Sequence, residues 1–256
     1  MTLTNSSHNW EEEEVENPVG HMGWLFNLET HELIVLGNIR IADGEDAPWF
    51  DLRTDIKFAV LLDGVASIPD CAFCGGRMLK SIQIPKSVTS IGDYAFNYCQ
   101  KMTEFFISSS VTSIGHNPFV GCEKLRRIKV ADGNNHFKVV DGVLFNKEMT
   151  HLISYAACTQ SNYTIPSSVT SIGNGAFGYC TSLESVMIPD SIASIGVFAF
   201  SNCYALTSVT IPKSVTSIGS FAFALCNKLK AVTIPNGLKY PSGAFQGFDS
   251  LKITKY

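Results

Sequence analysis

The chain has 256 residues, 45% apolar and 16% charged, a composition that suits a folded protein with a substantial core. The formal charge is −4, but Glu11 to Glu14 and Glu16 stand in the first twenty residues, which hold no Lys or Arg; taking these five from 23 acidic residues leaves 18 against 19 basic ones. A body so close to neutrality casts no long-range field for phosphate backbones or anionic lipid, which argues against nucleic acid as a partner. No apolar run approaches the roughly 20 residues of a membrane helix, the longest candidate being Phe58 to Leu62.

Residues 1–20 mix small polar residues with glutamates, lack apolar periodicity and read as an acidic arm. No basic region followed by an apolar one marks a secretory signal, so the chain is expected to stay inside the cell or to be a mature form or fragment. From residue 21 to 64, Trp24, Phe26 and Leu28 alternate; Leu33, Val35, Ile39 and Ile41 come next in runs broken by Gly37 and Asp43-Gly44; and Trp49 and Phe50 close the segment. It reads as a β cap over the open end of a stack of coils, because the first coil otherwise exposes its core and a sheet edge.

Residues 65–256 are repetitive. A phenylalanine recurs at Phe73, Phe96, Phe119, Phe177, Phe200, Phe223 and Phe245, at separations of 23, 23, 58, 23, 23 and 22. A fixed period of 20 to 29 residues marks a leucine-rich repeat solenoid. The stretch Leu206 to Cys226, LTSVTIPKSVTSIGSFAFALC, shows one unit. Leu-x-x-Val-x-Ile-Pro places alternate residues inward and ends a strand at a proline, which has no N–H for a ladder. Ala-Phe-x-x-Cys-x-x-Leu repeats every third residue and predicts a helical or 3₁₀ turn on the opposite side. The gap of 58 is accounted for by residues 131–163, where two Asp-Gly turns separate apolar runs, predicting a hairpin-bearing variant coil in register with the stack. Residues 236–256 depart from the repeat and read as a C-terminal cap, with Phe248 where other coils carry Cys.

The unit IPKSVTSIGDYAFNYCQKM and its near copies IPSSVTSIGNGAFGYCTSL and IPKSVTSIGSFAFALCNKL resemble the BspA-like, or Treponema-type, leucine-rich repeat family. HFKVVDGVLFNKEMTHLISY is similar to that family's recurrent variant coil, and Trp24 to Asp63 to its N-terminal cap. The resemblance covers residues 21–256. It implies a curved, right-handed α/β solenoid with one parallel sheet. It also implies a family common on the surfaces of host-associated bacteria and in some parasitic protists, whose members are linked with adhesion to host proteins and to other cells. The expected partner is therefore an extracellular-matrix or cell-surface protein and the expected location the cell surface or the medium, with an intracellular scaffold as the alternative.

Chemistry is sparse by comparison. Cys99, Cys122, Cys180, Cys203 and Cys226 share one repeat position and should stack as an inward column of small, soft groups running parallel, a direction that argues against disulfides. Cys71 and Cys74 form a CxxC with no second ligand pair and read as core or surface thiols, and Cys158 has no evident partner. The six histidines show no metal-binding spacing. No serine sits in GxSxG, and the Ser and Thr of Ser-Val-Thr-Ser-Ile-Gly recur in every coil as turn hydrogen-bonders. The single glycines of Ile-Gly serve backbone turns rather than a phosphate loop. A non-enzymatic chain without cofactor or metal is expected.

Binding then falls to the outward positions of the strands. One column runs Ser81, Glu104, Arg127, Ser185, Ser208, Ala231, and the other Gln83, Phe106, Lys129, Met187, Thr210, Thr233. Phe106, Arg127, Lys129 and Met187, with Glu104, stand out as a candidate protein-binding patch, since an aromatic beside Arg anchors interfaces. Phe106 packing against the variant coil is the competing reading.

Overall fold

The structure, a computed structural model, describes residues 23–36, 47–155, 160–247 and 251–256. The acidic arm, the turns at Gly37 and Asp43-Gly44, Cys158 and Phe248 lie outside the described residues.

Each coil contributes to two parallel ribbons. The first is built from the Leu-x-x-Val-x-Ile runs: β1 (Gly23–Asn27) pairs antiparallel with β2 (Glu32–Leu36), which pairs parallel with β3 (Phe58–Leu61). The second is built from Ser-Ile pairs of only two residues, beginning with β4 (Ser67–Ile68). The chain then alternates between the two. The first ribbon takes β5 (Ser81–Gln83), β7 (Glu104–Ile107) and β9 (Arg127–Val130). The second takes β6 (Ser90–Ile91) and β8 (Ser113–Ile114). Next come β10 (Phe137–Val140), β11 (Val143–Asn146) and β12 (His151–Ser154), the last pairing parallel with β14 (Ser171–Ile172) of the second ribbon. Beyond them β13 (Asn162–Thr164), β15 (Ser185–Met187), β17 (Ser208–Thr210), β19 (Ala231–Ile234) and β20 (Lys252–Lys255) continue the first ribbon. β16 (Ser194–Ile195) and β18 (Ser217–Ile218) complete the second. The expectation of one parallel sheet is thus corrected to several parallel sheets along two sides of each coil.

The expected helical turns are also corrected. Among the described residues the only helical element is a 3₁₀ turn at Phe50–Leu52. In the Ala-Phe turn, Asn97 and Cys99 donate within the turn to the Tyr94 and Phe96 carbonyls, whereas Tyr94, Phe96 and Tyr98 donate to the His116, Pro118 and Val120 carbonyls of the next coil. Alternation of local and inter-coil bonds needs left-handed residues four apart, met by Tyr94 and Tyr98 at φ 56° and 59°. A helix would spend every N–H locally and leave the coils unconnected on this side.

The interior is filled by the repeated residues. Phe73, Phe96, Phe119, Phe177, Phe200 and Phe223 are buried, and their rings stack, as in Phe96 on Phe73 at 5.5 Å and Phe223 on Phe200 at 5.0 Å. Trp49 lies 5.6 Å from Phe73, and its buried indole N–H donates to the Ala72 carbonyl. The repeated Ser and Thr hydroxyls bond between coils, Ser87, Ser110 and Ser191 donating to the carbonyls of Val65, Val88 and Val169. In the thiol column Cys122, Cys203 and Cys226 each donate to a phenylalanine carbonyl of the preceding coil. Cys180 departs from the expectation, being disulfide-bonded. The other four members of the column are free, so the bridge does not run along the stack.

The variant coil is the hairpin its Asp-Gly turn predicts: β10 and β11 pair antiparallel, with Asp141 and Gly142 both at positive φ, as a tight two-residue turn requires. It also divides the interior. Val143 and Phe145 of β11, with Leu152, belong to the C-terminal core, whereas Leu144 of β11, Phe137 and Ile153 belong to the N-terminal core. Successive residues of one strand point to opposite faces, so an unbroken apolar run becomes a partition buried on both sides.

Candidate functional site

Strand register places the outward columns as their spacing implies. Glu104 stands opposite Arg127 and Phe106 opposite Lys129 on the β7–β9 pair, and Asn162 and Thr164 of β13 stand opposite Ser185 and Met187 of β15. Glu104 lies between two cations, its Oε2 3.6 Å from Lys129 Nζ and 3.9 Å from Arg127 Nη1. All three side chains are more than half exposed, so these ion pairs are worth well under about 1 kcal/mol each. They orient the charges and leave them free to be exchanged for a partner's. Phe106 is 53% exposed, which removes the alternative that the variant coil covers it.

Glu104, Phe106, Arg127 and Lys129 are therefore brought together, while Met187 is not in their group. Met187 sits on a separate strand pair and, 64% exposed, borders a groove of about 460 Å³ shared with Asp190, Ser208, Thr210, Pro212 and Tyr256. Asp190 and Tyr256 carry no repeat signal and were not among the expected site residues. Tyr256 is placed by β20, which pairs in register with β19, and its hydroxyl donates to the Ile211 carbonyl at 3.0 Å.

A second concavity opens on the turn side. The variant coil lacks the Ala-Phe-x-x-Cys sequence; the Tyr155 backbone N–H donates to the Ala176 carbonyl, as that of Phe177 does to Ala199, and the Tyr155 ring meets Phe177 edge-on at 5.5 Å. The flanking turns approach one another around it, Val120 against Gly178 and the Tyr98 hydroxyl 2.7 Å from that of Tyr179. Tyr98 reaches this position across the bare face of Gly121, where a Cβ would stand 2.4 Å from its ring. A cleft of about 540 Å³ lies here, lined among others by Phe119, Glu123, Arg126, Tyr155, Tyr179 and Tyr204.

Burial, and then the bond to Tyr98, push the Tyr179 hydroxyl up to about 12. The folded chain then holds this proton in a range where the unfolded chain loses it. Stability is full below about pH 10 and falls as pH rises towards about 12. Thermal melts near pH 9 and pH 11 should show this loss, and Tyr98→Phe should lessen it; equal loss in both proteins would refute the assignment.

Among the described residues no helix is long and apolar enough to cross a membrane, and no cluster of three His, Cys, Asp or Glu side chains is placed to hold a metal. Cys71 is exposed and Cys74 half-buried, and burial raises the Cys74 thiol above its ordinary value.

No curated protein matches the sequence. Among solved structures, the chain is similar to a leucine-rich repeat protein from Eubacterium ventriosum, at 26% identity and a TM-score of 0.61, over 87% of this chain and 72% of that one. It is also similar to a leucine rich cell surface protein from Faecalibacterium prausnitzii, at 28% identity and a TM-score of 0.65, covering 78% of this chain but only 60% of that one. The pneumococcal vaccine antigen PcpA shares the fold at 24% identity and a TM-score of 0.58, over 79% of this chain and 67% of that one. The sequence matches the BspA type leucine rich repeat region, with 6 copies, over residues 49–153 and 150–256, two spans that overlap at β12. With its stacked phenylalanines, inter-coil serines and paired ribbons, the chain belongs to the BspA-type leucine-rich repeat family.

Proposed function

We propose that the chain is a non-enzymatic, protein-binding solenoid that works at the cell surface or outside the cell, contacting host or neighbouring-cell proteins through the exposed face of its longer strands. The observation that carries this reading is Phe106, an aromatic ring 53% exposed in the middle of a sheet face, beside the Glu104, Arg127 and Lys129 charges. Aromatic and arginine side chains are the usual anchors of protein interfaces, and two cations sharing one carboxylate leave a net positive charge to steer an acidic partner.

The Cys180 disulfide suits an oxidising compartment, and the Faecalibacterium relative bears the name of a cell surface protein. The free thiols of Cys99, Cys122, Cys203 and Cys226 favour the intracellular scaffold instead, but all four are buried, which protects them from oxidation in either setting. Residues 21–64 are proposed as the cap of the stack and residues 236–256 as its closing segment.

Immobilised extracellular-matrix proteins should capture the chain, and the Phe106→Ala, Arg127→Ala double variant should bind the captured partner at least tenfold more weakly, roughly 1.4 kcal/mol. Wild-type affinity in the double variant would sink the proposal for this face.

A further inference from the structure

The segment that enters β9 reads Lys-Leu-Arg-Arg-Ile-Lys and carries four cations, Lys124, Arg126, Arg127 and Lys129. All four are exposed, while Leu125 and Ile128 between them are buried, so the core takes the apolar side chains and solvent takes every cation. Arg127 and Lys129 alternate outward on the strand, and Lys124 and Arg126 hold the corner before it. In the preceding coil the exposed Lys101 occupies the repeat position of Lys124. The Gln100 side-chain amide donates to the Glu123 carboxylate at 2.9 Å, which places the two corners side by side.

Two acids share this surface and count against the cations. Glu104 is divided between Arg127 and Lys129, and Glu123 accepts from Gln100. Five cations against two carboxylates leave the strip positive. Lys101, Lys124 and Arg126 form no ion pair among the described residues. Arg126 gives one N–H to the Glu123 carbonyl, which holds it at the corner and leaves its other donors for a ligand. Residues 156–159, outside the described ones, carry no charge, and the next acid along the chain, Asp132, follows the far end of β9.

We propose that this strip binds a sulfated polysaccharide, a linear polyanion of the heparin class. A short run dense in Lys and Arg is the pattern that holds such chains, and here two adjoining coils supply it. In residues 100–104 and 123–127 the apolar side chains, Met102 and Leu125, are both buried, so the corner presents only polar groups. A protein interface needs an apolar centre, whereas a hydrated polyanion is held by charge. Single-stranded nucleic acid also needs aromatic rings for its bases, and these corner segments hold none. The arginines can meet two oxygens of one sulfate at once, as they do with phosphate.

Calorimetry of the full chain with a heparin dodecasaccharide checks this, using the same oligosaccharide stripped of its sulfates and a thymidine oligonucleotide of equal length as controls. The near-neutral body adds no long-range attraction, so a Kd of about 100 μM or tighter is expected at about 50 mM salt, weakening about tenfold by about 150 mM. Both controls should bind at least tenfold more weakly. The Lys101→Ala, Lys124→Ala, Arg126→Ala variant should lose at least tenfold in heparin affinity; all three side chains are exposed, so its circular dichroism should be unchanged. Phe106→Ala should keep heparin binding, and the triple variant should still bind a matrix protein captured through the sheet face, so either reading can fail while the other stands. Absence of heparin binding, equal binding of either control, wild-type heparin affinity in the triple variant, or its loss in Phe106→Ala would overturn the proposal.

Discussion

Phe200→Ala should cost about 3 to 5 kcal/mol, at the upper end for a buried aromatic. Phe200 is fully buried and stacked between Phe177 at 4.7 Å and Phe223 at 5.0 Å. The spacing of these coils is fixed by backbone bonds, from Phe177 N to Ala199 O and from Phe200 N to Ala222 O, so neighbouring coils cannot close over the lost ring. A cavity that cannot collapse is penalised for its full volume. Because each coil touches chiefly its neighbours, the lost protection should appear first in residues 177–223 and decay along the stack. Hydrogen exchange measured in the variant checks this, and uniform protection from end to end would contradict the stacked arrangement.

Gly196→Ala should be nearly as damaging, about 3 kcal/mol, for a different reason. The backbone at Gly196 is not left-handed, so alanine is conformationally acceptable there; the obstacle is space. A Cβ would stand 2.6 Å from both Asn174 N and Gly173 C of the preceding coil. The same close approach recurs at Gly219 against Gly196 and at Gly115 against Gly92, where backbone rests on backbone. Gly237→Ala serves as the control. It has open space around the added carbon but φ of 82°, so it should lose only about 1 to 2 kcal/mol of backbone preference. Urea denaturation of the two variants should rank them in that order. A Gly196→Ala protein as stable as Gly237→Ala would refute the packing account.

The phenylalanine spacing was enough to find the coils, because one aromatic per period must occupy one place in a stack. Period-two alternation likewise fixed which residues of the longer strands face outward, and Glu104 opposite Arg127 agrees with it. The second ribbon was not legible, since Ser-Ile strands of two residues have no periodicity to read. Nor were the turns: their left-handed positions are filled by Gly75, Gly121 and Gly175 in some coils but by Tyr94, Tyr98, Phe198 and Phe221 in others, so no single residue type announces the backbone. The glycines of Ile-Gly, in contrast, mark close approach between coils. Tyr155 was hidden because it stands in for a phenylalanine in a segment without the repeat's other words. The hairpin was legible from its Asp-Gly turn, but the place of Val143, Leu144 and Phe145 between two interiors was not, because an apolar run alone does not say what lies on its two faces.

That partition gives the molecule a mechanical joint. The regular coils on either side are springs made of one repeated element, and tension along the stack is shared among them. At β10, β11 and β12 the strands run antiparallel to one another, and their side chains divide between two interiors. A pull on the two ends therefore acts on two interiors in series, joined through one hairpin. If the partition still covers one interior when the other is lost, stretching from the two ends should give two unfolding steps rather than one, which force spectroscopy checks.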